Sequence, residues 1–377
     1  MLALRVHRRF GRALRPYPPP GWCGRVVLTR RDRAGLSNSG MCPVTQISSS
    51  LGLPPEKIEN LLAMAGRAPS LHNSQPWQFR LSQRAIELHA DPERMLRVAD
   101  PGGRELRMAC GAALFNLRLA LHGHSIRPIV TLFPDRDQPD LLATVRHGGS
   151  KTPTPEQTQL LRAVALWRTN RHPFIDARVA PPEESALRRA ALDEGAWLDI
   201  VRDPAQRRSL REMVVRSHRL QMADPAFRAE LASWSTTSPE RQDGVPARAG
   251  GSLPEPQDVW VLRDFTGGTG RVRVPGKDFE EEPMIAVLTS HLSGRAAEVQ
   301  VGQALQRVLL TATVNGLATS FLSQIVEVSQ TREELRRLIG GTRPPQAVLR
   351  LGYGWPVVAS PRREVGDLIA PGGTTST

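Results

Sequence analysis

The sequence has 377 residues, of which 40% are hydrophobic, and a formal net charge of +13. This apolar content is enough for a buried core and excludes an intrinsically disordered chain. No apolar run reaches the ~18 residues of a transmembrane helix, so we expect no membrane partner. Three scattered cysteines (Cys23, Cys42 and Cys110) form neither a disulfide framework nor a zinc site, which favours a reducing cytoplasm.

The positive charge is concentrated near the N-terminus. Residues 1–33 hold nine arginines and one acid, which together give +8 of the +13. Because the remainder carries only about +5, we expect no nucleic-acid partner. We interpret residues 1–50 as a basic extension that is disordered or that precedes a true start at Met41. A targeting peptide and a nucleic-acid-binding arm are the alternatives.

Helices and strands alternate along the rest of the chain. Prolines in a first turn, a capping box at Thr154–Gln157 and apolar periodicity predict the helices, and apolar or alternating runs predict the strands. In chain order we expect helix 54–67, strands 77–81 and 85–90 as a hairpin, helix 111–123, strand 129–133, helix 154–167, strand 284–289, helices 302–316 and 332–339, and strand 347–352. This alternation predicts an α+β fold with helices packed against sheets.

Two weak matches indicate an internal duplication. Residues 53–62 resemble residues 180–189 at an offset of 127, and residues 111–114 resemble 302–305 at an offset of 191. The predicted halves are therefore residues 51–150 and 151–377. Because the offsets differ by 64 residues, we expect an insertion in the second half, at about 225–280, where Gly, Pro, Ser and Arg are enriched. Its aromatic residues favour a lid over a disordered loop.

The segment 68–79 places polar side chains on a loop between two prolines, directly before a predicted strand. Such a loop can supply hydrogen-bond donors beside a flat heterocycle such as isoalloxazine. The alternative is a structural loop whose Trp77 and Phe79 enter the core.

Two arginine pairs could bind an anion. Arg168 and Arg171 are three positions apart with Thr169 between them, and they could fork a phosphate dianion. Arg362 and Arg363, after the last predicted strand, could complete that site. The alternative in both cases is a pair of solvated side chains.

Taken in order, these motifs resemble the Acg family of actinobacteria, a single-chain version of the nitroreductase dimer. The run Asn73–Trp77 is the most specific match, and Gly103-Arg104 and the two arginine pairs follow it in the family's order. The similarity covers about residues 53–369. It implies a nitroreductase-like α+β fold with mixed or antiparallel sheets, built as a monomeric pseudo-dimer of two degenerate halves. It also implies one FMN per chain and NAD(P)H as electron donor.

The resemblance also implies which residues hold the flavin. In the family, one half supplies a phosphate clasp, a turn at the flavin N5 edge and C-terminal basic residues, and the other half supplies the polar loop. Here these are Arg168, Thr169, Asn170 and Arg171 for the clasp, Ser323 and Gln324 for the turn, Arg362 and Arg363 for the basic residues, and Pro69, Ser70, Asn73, Gln75, Pro76 and Trp77, followed by Gln78 and Phe79, for the loop. Glu364 departs from the family, which usually has a proline there.

The repeat predicts a single composite site. At an offset of 127 the loop falls on Ala196 and Trp197, so the second half lacks it, and residues 41–52 contain no arginine, so the first half lacks the clasp. We expect an FMN-dependent reductase of nitroaromatic or quinone-like acceptors, in which the flavin does the chemistry and no catalytic side chain is assigned. The alternative is a protein that binds or sequesters FMN under a lid with little or no turnover. The physiological acceptor and the choice between NADH and NADPH stay open.

Overall fold

The computed structural model describes residues 47–236, 238, 240–255, 258, 260–270 and 283–374. The predicted basic extension, apart from residues 47–50, and a part of the predicted insertion therefore lie outside the described residues.

Helices and strands alternate through most of the described chain. In chain order they are α1 (Pro55–Ala65), β1 (Trp77–Leu81), β2 (Ala85–Ala90), α2 (Arg104–Gly123), β3 (Ile126–Leu132), β4 (Leu141–Ser150), α3 (Pro155–Leu166), α4 (Pro181–Asp193), β5 (Trp197–Val201), α5 (Pro204–Ala223), α6 (Pro225–Trp234), β6 (Ser235–Thr236), β7 (Val245–Pro246), β8 (Met284–Thr289), α7 (Arg295–Val314), β9 (Ala318–Phe321), α8 (Gln324–Glu327), α9 (Ser329–Leu338), β10 (Pro345–Gly352) and β11 (Ile369–Thr374).

The strands form two main sheets. The first has the order β11-β1-β2-β4-β3 and is mixed, because β11 runs parallel to β1 and the other pairs are antiparallel. The second has the order β5-β8-β10-β9 and is antiparallel throughout. The α+β class predicted from the sequence is thus confirmed. Among the described residues, no helix combines the length and the apolar content that crossing a bilayer requires.

Several elements follow local rules closely. The predicted hairpin is present with Trp77 opposite Ala90 and Leu81 opposite Ile86. The capping box is also present, since the Thr154 hydroxyl accepts from the Gln157 amide and the Gln157 side chain accepts from the Thr154 amide. The segment after residue 225, predicted as an insertion, begins with helix α6 and contains the short pair β6 and β7.

The structure contains elements that the sequence pattern did not predict, among them β4, β5, α5, β9 and β11, and two helices begin earlier than predicted. Helices α2 and α7 begin seven residues before their predicted starts, so Gly111 and Gly302 lie inside the helices. Strand β4 was not predicted, because its first five residues are buried and its second half is mostly exposed, without period-two alternation.

The centre of the molecule is the close crossing of α2 and α7. A Cβ atom added to Gly111 would lie 2.1 Å from the carbonyl oxygen of Val299, and one added to Gly302 would lie 2.0 Å from that of Met108. At this approach only glycine fits. The two contacts are reciprocal at an offset of 191, as a two-fold relation between the helices would make them. The internal duplication stays a prediction, and this geometry supports it.

Replacing Gly111 with alanine should lower the free energy of unfolding by about 2–3 kcal/mol, because the new methyl group meets a backbone carbonyl that cannot rotate away. Urea denaturation of the full chain measures this. Gly102→Ala is the control, since an added Cβ there meets nothing within 4 Å. Equal stability of the two variants would contradict the crossing.

Candidate functional site

A cavity lies beside the first turns of α2, with an empty volume of about 1200 Å³ including the open solvent at its mouth. All four predicted segments contribute to its lining, through Pro69, Ser70, Asn73, Arg168, Thr169, Arg171, Ser323, Gln324 and Arg362.

The loop before β1 has an unusual backbone. His72, Asn73 and Gln75 have φ values of 51°, 57° and 51°, in the left-handed region. The Ser70 hydroxyl stabilises the turn by accepting a hydrogen bond of 2.9 Å from the Gln75 amide. The loop therefore holds a fixed shape at the edge of the cavity.

Asn73 connects this loop to the C-terminal segment. Its side-chain amide donates to the carbonyl oxygens of Gly244 and Pro361, at 2.9 and 3.0 Å. Its side-chain oxygen accepts from an Nη atom of Arg362 at 2.8 Å. Asn73 thus positions Arg362 in the cavity.

Seven predicted site residues do not line the cavity. These are Gln75, Pro76, Trp77, Gln78, Phe79, Asn170 and Arg363. Trp77 and Phe79 are fully buried in the core of the first half, as the structural alternative expected. Gln78 donates to Asp91 at 3.2 Å, and the Pro76 carbonyl accepts from the Asp91 amide at 3.1 Å.

Three of these seven residues hold segments of the site together. Gln75 donates to the Gln242 carbonyl at 2.8 Å and accepts from the Arg363 amide at 2.9 Å. The Arg363 guanidinium donates to the Gln75 carbonyl at 3.1 Å. The Asn170 amide donates to the Thr319 carbonyl at 2.8 Å. Glu364 is exposed and accepts from Gln242, so this departure from the family pattern places no acid in the cavity lining.

Arginines form a cluster in the cavity. Burial and the neighbouring charges of Arg67, Arg168 and Arg171 lower the pKa of Arg362 to about 9. Burial and the charge of Arg263 lower the pKa of Arg171 to about 10. Among the described residues, no carboxylate forms an ion pair with Arg171 or Arg362. Like charges crowded in a partly desolvated cleft favour the binding of an anion.

A second polar cluster, which sequence reasoning missed, lies on another wall of the cavity. Arg263 forms a 2.9 Å ion pair with Glu327, whose side chain is only 1% exposed, and donates to Gln221 at 2.9 Å. Its Nη1 lies 3.4 Å from Nε2 of His72. Arg263 stands in the predicted insertion, whose sequence carries no motif, and its partners are distant in the chain. No local pattern could have identified it.

Glu105, in the first turn of α2, also lines the cavity. Burial raises the pKa of its carboxyl to about 7, although the neighbouring Arg104 lowers it, and Asp100 and Glu327 raise it further. Glu105 is therefore half-protonated near neutral pH. Apart from its position after the Gly103-Arg104 pair, no sequence pattern indicates Glu105.

Comparison with known proteins defines the class. No family model matches the chain. Acg of Mycobacterium tuberculosis, which carries the name of an NAD(P)H nitroreductase, is 32% identical over 319 residues, covering 82% of this chain and 94% of the relative. A second M. tuberculosis protein with an NAD(P)H nitroreductase name is 30% identical over 337 residues, covering 83% and 91%.

Solved structures named as nitroreductases resemble the fold at low identity. One from Anabaena variabilis has a TM-score of 0.48 and 11% identity, covering 80% of this chain and 88% of that one. One from Desulfitobacterium hafniense, with bound FMN, has a TM-score of 0.36 and 13% identity, covering 56% and 97%. The similarity to these two M. tuberculosis proteins shows that the protein is a member of the nitroreductases. More narrowly, the chain belongs to the family of Acg-type NAD(P)H nitroreductases.

Glu105→Gln should change how stability depends on pH. Because the folded carboxyl has a pKa of about 7 and an unfolded one about 4.5, the folded state binds more protons between these values, and wild-type stability falls as pH rises through them. Glu105→Gln has no carboxyl group to deprotonate at this position. The difference in free energy of unfolding, variant minus wild type, should therefore rise by about 3 kcal/mol from pH 4 to pH 8. Urea denaturation across pH measures it. Glu59→Gln, at an exposed position of α1, is the control. A pH-independent difference would contradict the raised pKa.

Proposed function

We propose that the chain binds one FMN in this cavity and reduces nitroaromatic or quinone-like acceptors with NAD(P)H as electron donor. The arginine cluster is the observation that carries the proposal, because Arg171 and Arg362 have no carboxylate partner among the described residues. A phosphate dianion would offset their crowded charge. The proposal is also supported by family membership and by the FMN named in similar nitroreductase structures.

The donor set fits this cofactor. Arg168, Arg171 and Arg362 would hold the phosphate, with the Thr169 hydroxyl beside them. The Nε atom of Arg362 is buried without a hydrogen-bond partner among the described residues, so a donor is left for a ligand.

The rest of the lining suits a ring system. Ser70 on the loop and the turn Ser323-Gln324 would lie at the edges of the ring, and Phe265 and Phe321 supply apolar surface. Bound FMN supplies the redox chemistry between a nicotinamide and an organic acceptor, and the chain supplies binding, orientation and exclusion of water.

One FMN per chain, a monomeric state and a cytoplasmic location belong to the same proposal. The cavity draws residues from both predicted halves, so one chain is sufficient to build it. The small number of cysteines is consistent with a reducing compartment.

FMN sequestration is the second candidate function. Trp260, Leu262 and Phe265, from the predicted insertion, add apolar surface to the cavity lining. If the insertion acts as a lid, it would limit access of an acceptor while leaving the cofactor bound.

Arg171→Met and Arg362→Met should each raise the FMN dissociation constant by roughly 10- to 100-fold, because each removes a charge-assisted hydrogen bond to the phosphate. Riboflavin lacks the phosphate, so its affinity should change little. Fluorescence titration measures both dissociation constants. Arg188→Met, an exposed arginine of α4, is the control and should bind FMN as wild type does. An equal loss for FMN and riboflavin would place the phosphate elsewhere.

Titration of the purified protein with FMN should saturate at one per chain, and the complex should oxidise NADPH with 1,4-benzoquinone faster than free FMN does. Absorbance of bound flavin and of NADPH measures the two quantities. Saturation at two FMN per chain contradicts the composite site. Tight binding without turnover contradicts the reductase and supports sequestration.

A further inference from the structure

His72 occupies a constrained position in the cavity wall. It has a left-handed backbone with φ 51°, is 3% exposed and lines the cavity. Its ring packs edge to face on Phe265, with 5.7 Å between centroids. Burial, together with the charges of Arg263 and Arg171, holds the pKa of His72 well below its usual value, so the imidazole is neutral.

Arg263 determines which ring nitrogen carries the proton. Nε2 of His72 lies 3.4 Å from Nη1 of Arg263. A guanidinium group can donate hydrogen bonds but cannot accept them, so Nε2 is the acceptor. A neutral imidazole then carries its proton on Nδ1. Arg263 is itself held by Glu327 and Gln221, so it cannot easily turn away.

The Nδ1–H group is left without a partner. The Nδ1 atom of His72 is buried and has no hydrogen-bond partner among the described residues. Buried donors in folded proteins are nearly always satisfied, because an unmet hydrogen bond costs free energy. Since His72 lines the cavity, a bound molecule can supply the missing acceptor.

We propose that Nδ1–H of His72 donates a hydrogen bond to an oxygen of the electron acceptor, a quinone carbonyl or a nitro oxygen, and that Arg263 is a positioning residue that fixes this tautomer. The inference rests on the proposed function. His72 contacts Arg263, which is not among the residues assigned to the cofactor, and Phe265, which is assigned to the apolar surface beside the ring, so its ring stands at the border of the flavin position. The nearby cation Arg263 would stabilise negative charge on the acceptor oxygen as it is reduced.

The tautomer can be measured without any ligand. In the full chain with ¹⁵N-labelled histidine, NMR should show His72 neutral, protonated at Nδ1 and unprotonated at Nε2. The His72 signals are assigned by their loss in His72→Asn. In Arg263→Met the Nε2–H form should become populated. An Nε2–H tautomer in wild type, or no change in Arg263→Met, would overturn the assignment.

Kinetics then test the ligand. In FMN-loaded protein, His72→Phe keeps a ring against Phe265 and should raise KM for 1,4-benzoquinone about fivefold, with the FMN dissociation constant unchanged. His72→Asn keeps an amide donor near the position of Nδ1 and suits a left-handed backbone, so its KM should stay within about twofold of wild type. His124→Phe, after α2 at an exposed position, is the control.

The outcomes separate the two proposals. Weaker FMN binding in His72→Phe, with KM for the quinone unchanged, would assign the donor to the cofactor and overturn the inference. A wild-type protein that neither binds FMN nor reduces the quinone would overturn the proposed function and the acceptor assignment together. The NMR result would still decide the tautomer in that case.

Discussion

The close approach of α2 and α7 determines how the two sheets and the cavity are placed relative to one another. Two backbones meet at Gly111 and Gly302 with no room for a side chain, and the polar pair Asn116 and Gln306 hydrogen-bonds in the same interface at 2.8 Å. Each helix also packs against its own sheet. Because the crossing brings the two halves of the chain together, the first turns of α2 come to lie beside the residues that follow α3 and β9. The cavity is a consequence of that contact.

Electrostatics in the cavity follow from the same arrangement. Arg362 comes from the C-terminal segment and hydrogen-bonds to Asn73, 289 residues earlier, while Arg168 and Arg171 come from the segment after α3. Among the described residues, the acceptors that hold Arg171 and Arg362 are carbonyl and amide oxygens and not carboxylates. A carboxylate would neutralise the cluster permanently, whereas neutral acceptors orient the guanidinium groups and leave their charge available to an anion.

Local rules predicted much of this fold and part of the site. The hairpin and the capping box of α3 depend on neighbouring residues, so the sequence was sufficient. Strand β4 and the true starts of α2 and α7 depend on packing, which no window reveals. Part of the motif after residue 68 lines the cavity, but the positions of its other members depend on tertiary contacts: Trp77 enters the core and Gln75 binds other loops. Arg263 was not predicted, because its partners are distant in the chain and mostly lie outside any motif.

The arrangement of Arg263 explains how a cation can stand beside a histidine that acts as a donor. A carboxylate in the same place would accept a hydrogen bond from Nε2–H, so the neutral ring would present Nδ1 to a ligand as an acceptor and not as a donor. An arginine does the opposite, since it disfavours protonation and occupies the acceptor nitrogen of His72. Glu327 compensates its charge through an ion pair with both Nη atoms. The predicted insertion therefore contributes an orienting contact to His72 as well as apolar residues to the cavity lining, and lining alone would not need a buried ion pair beside the ring.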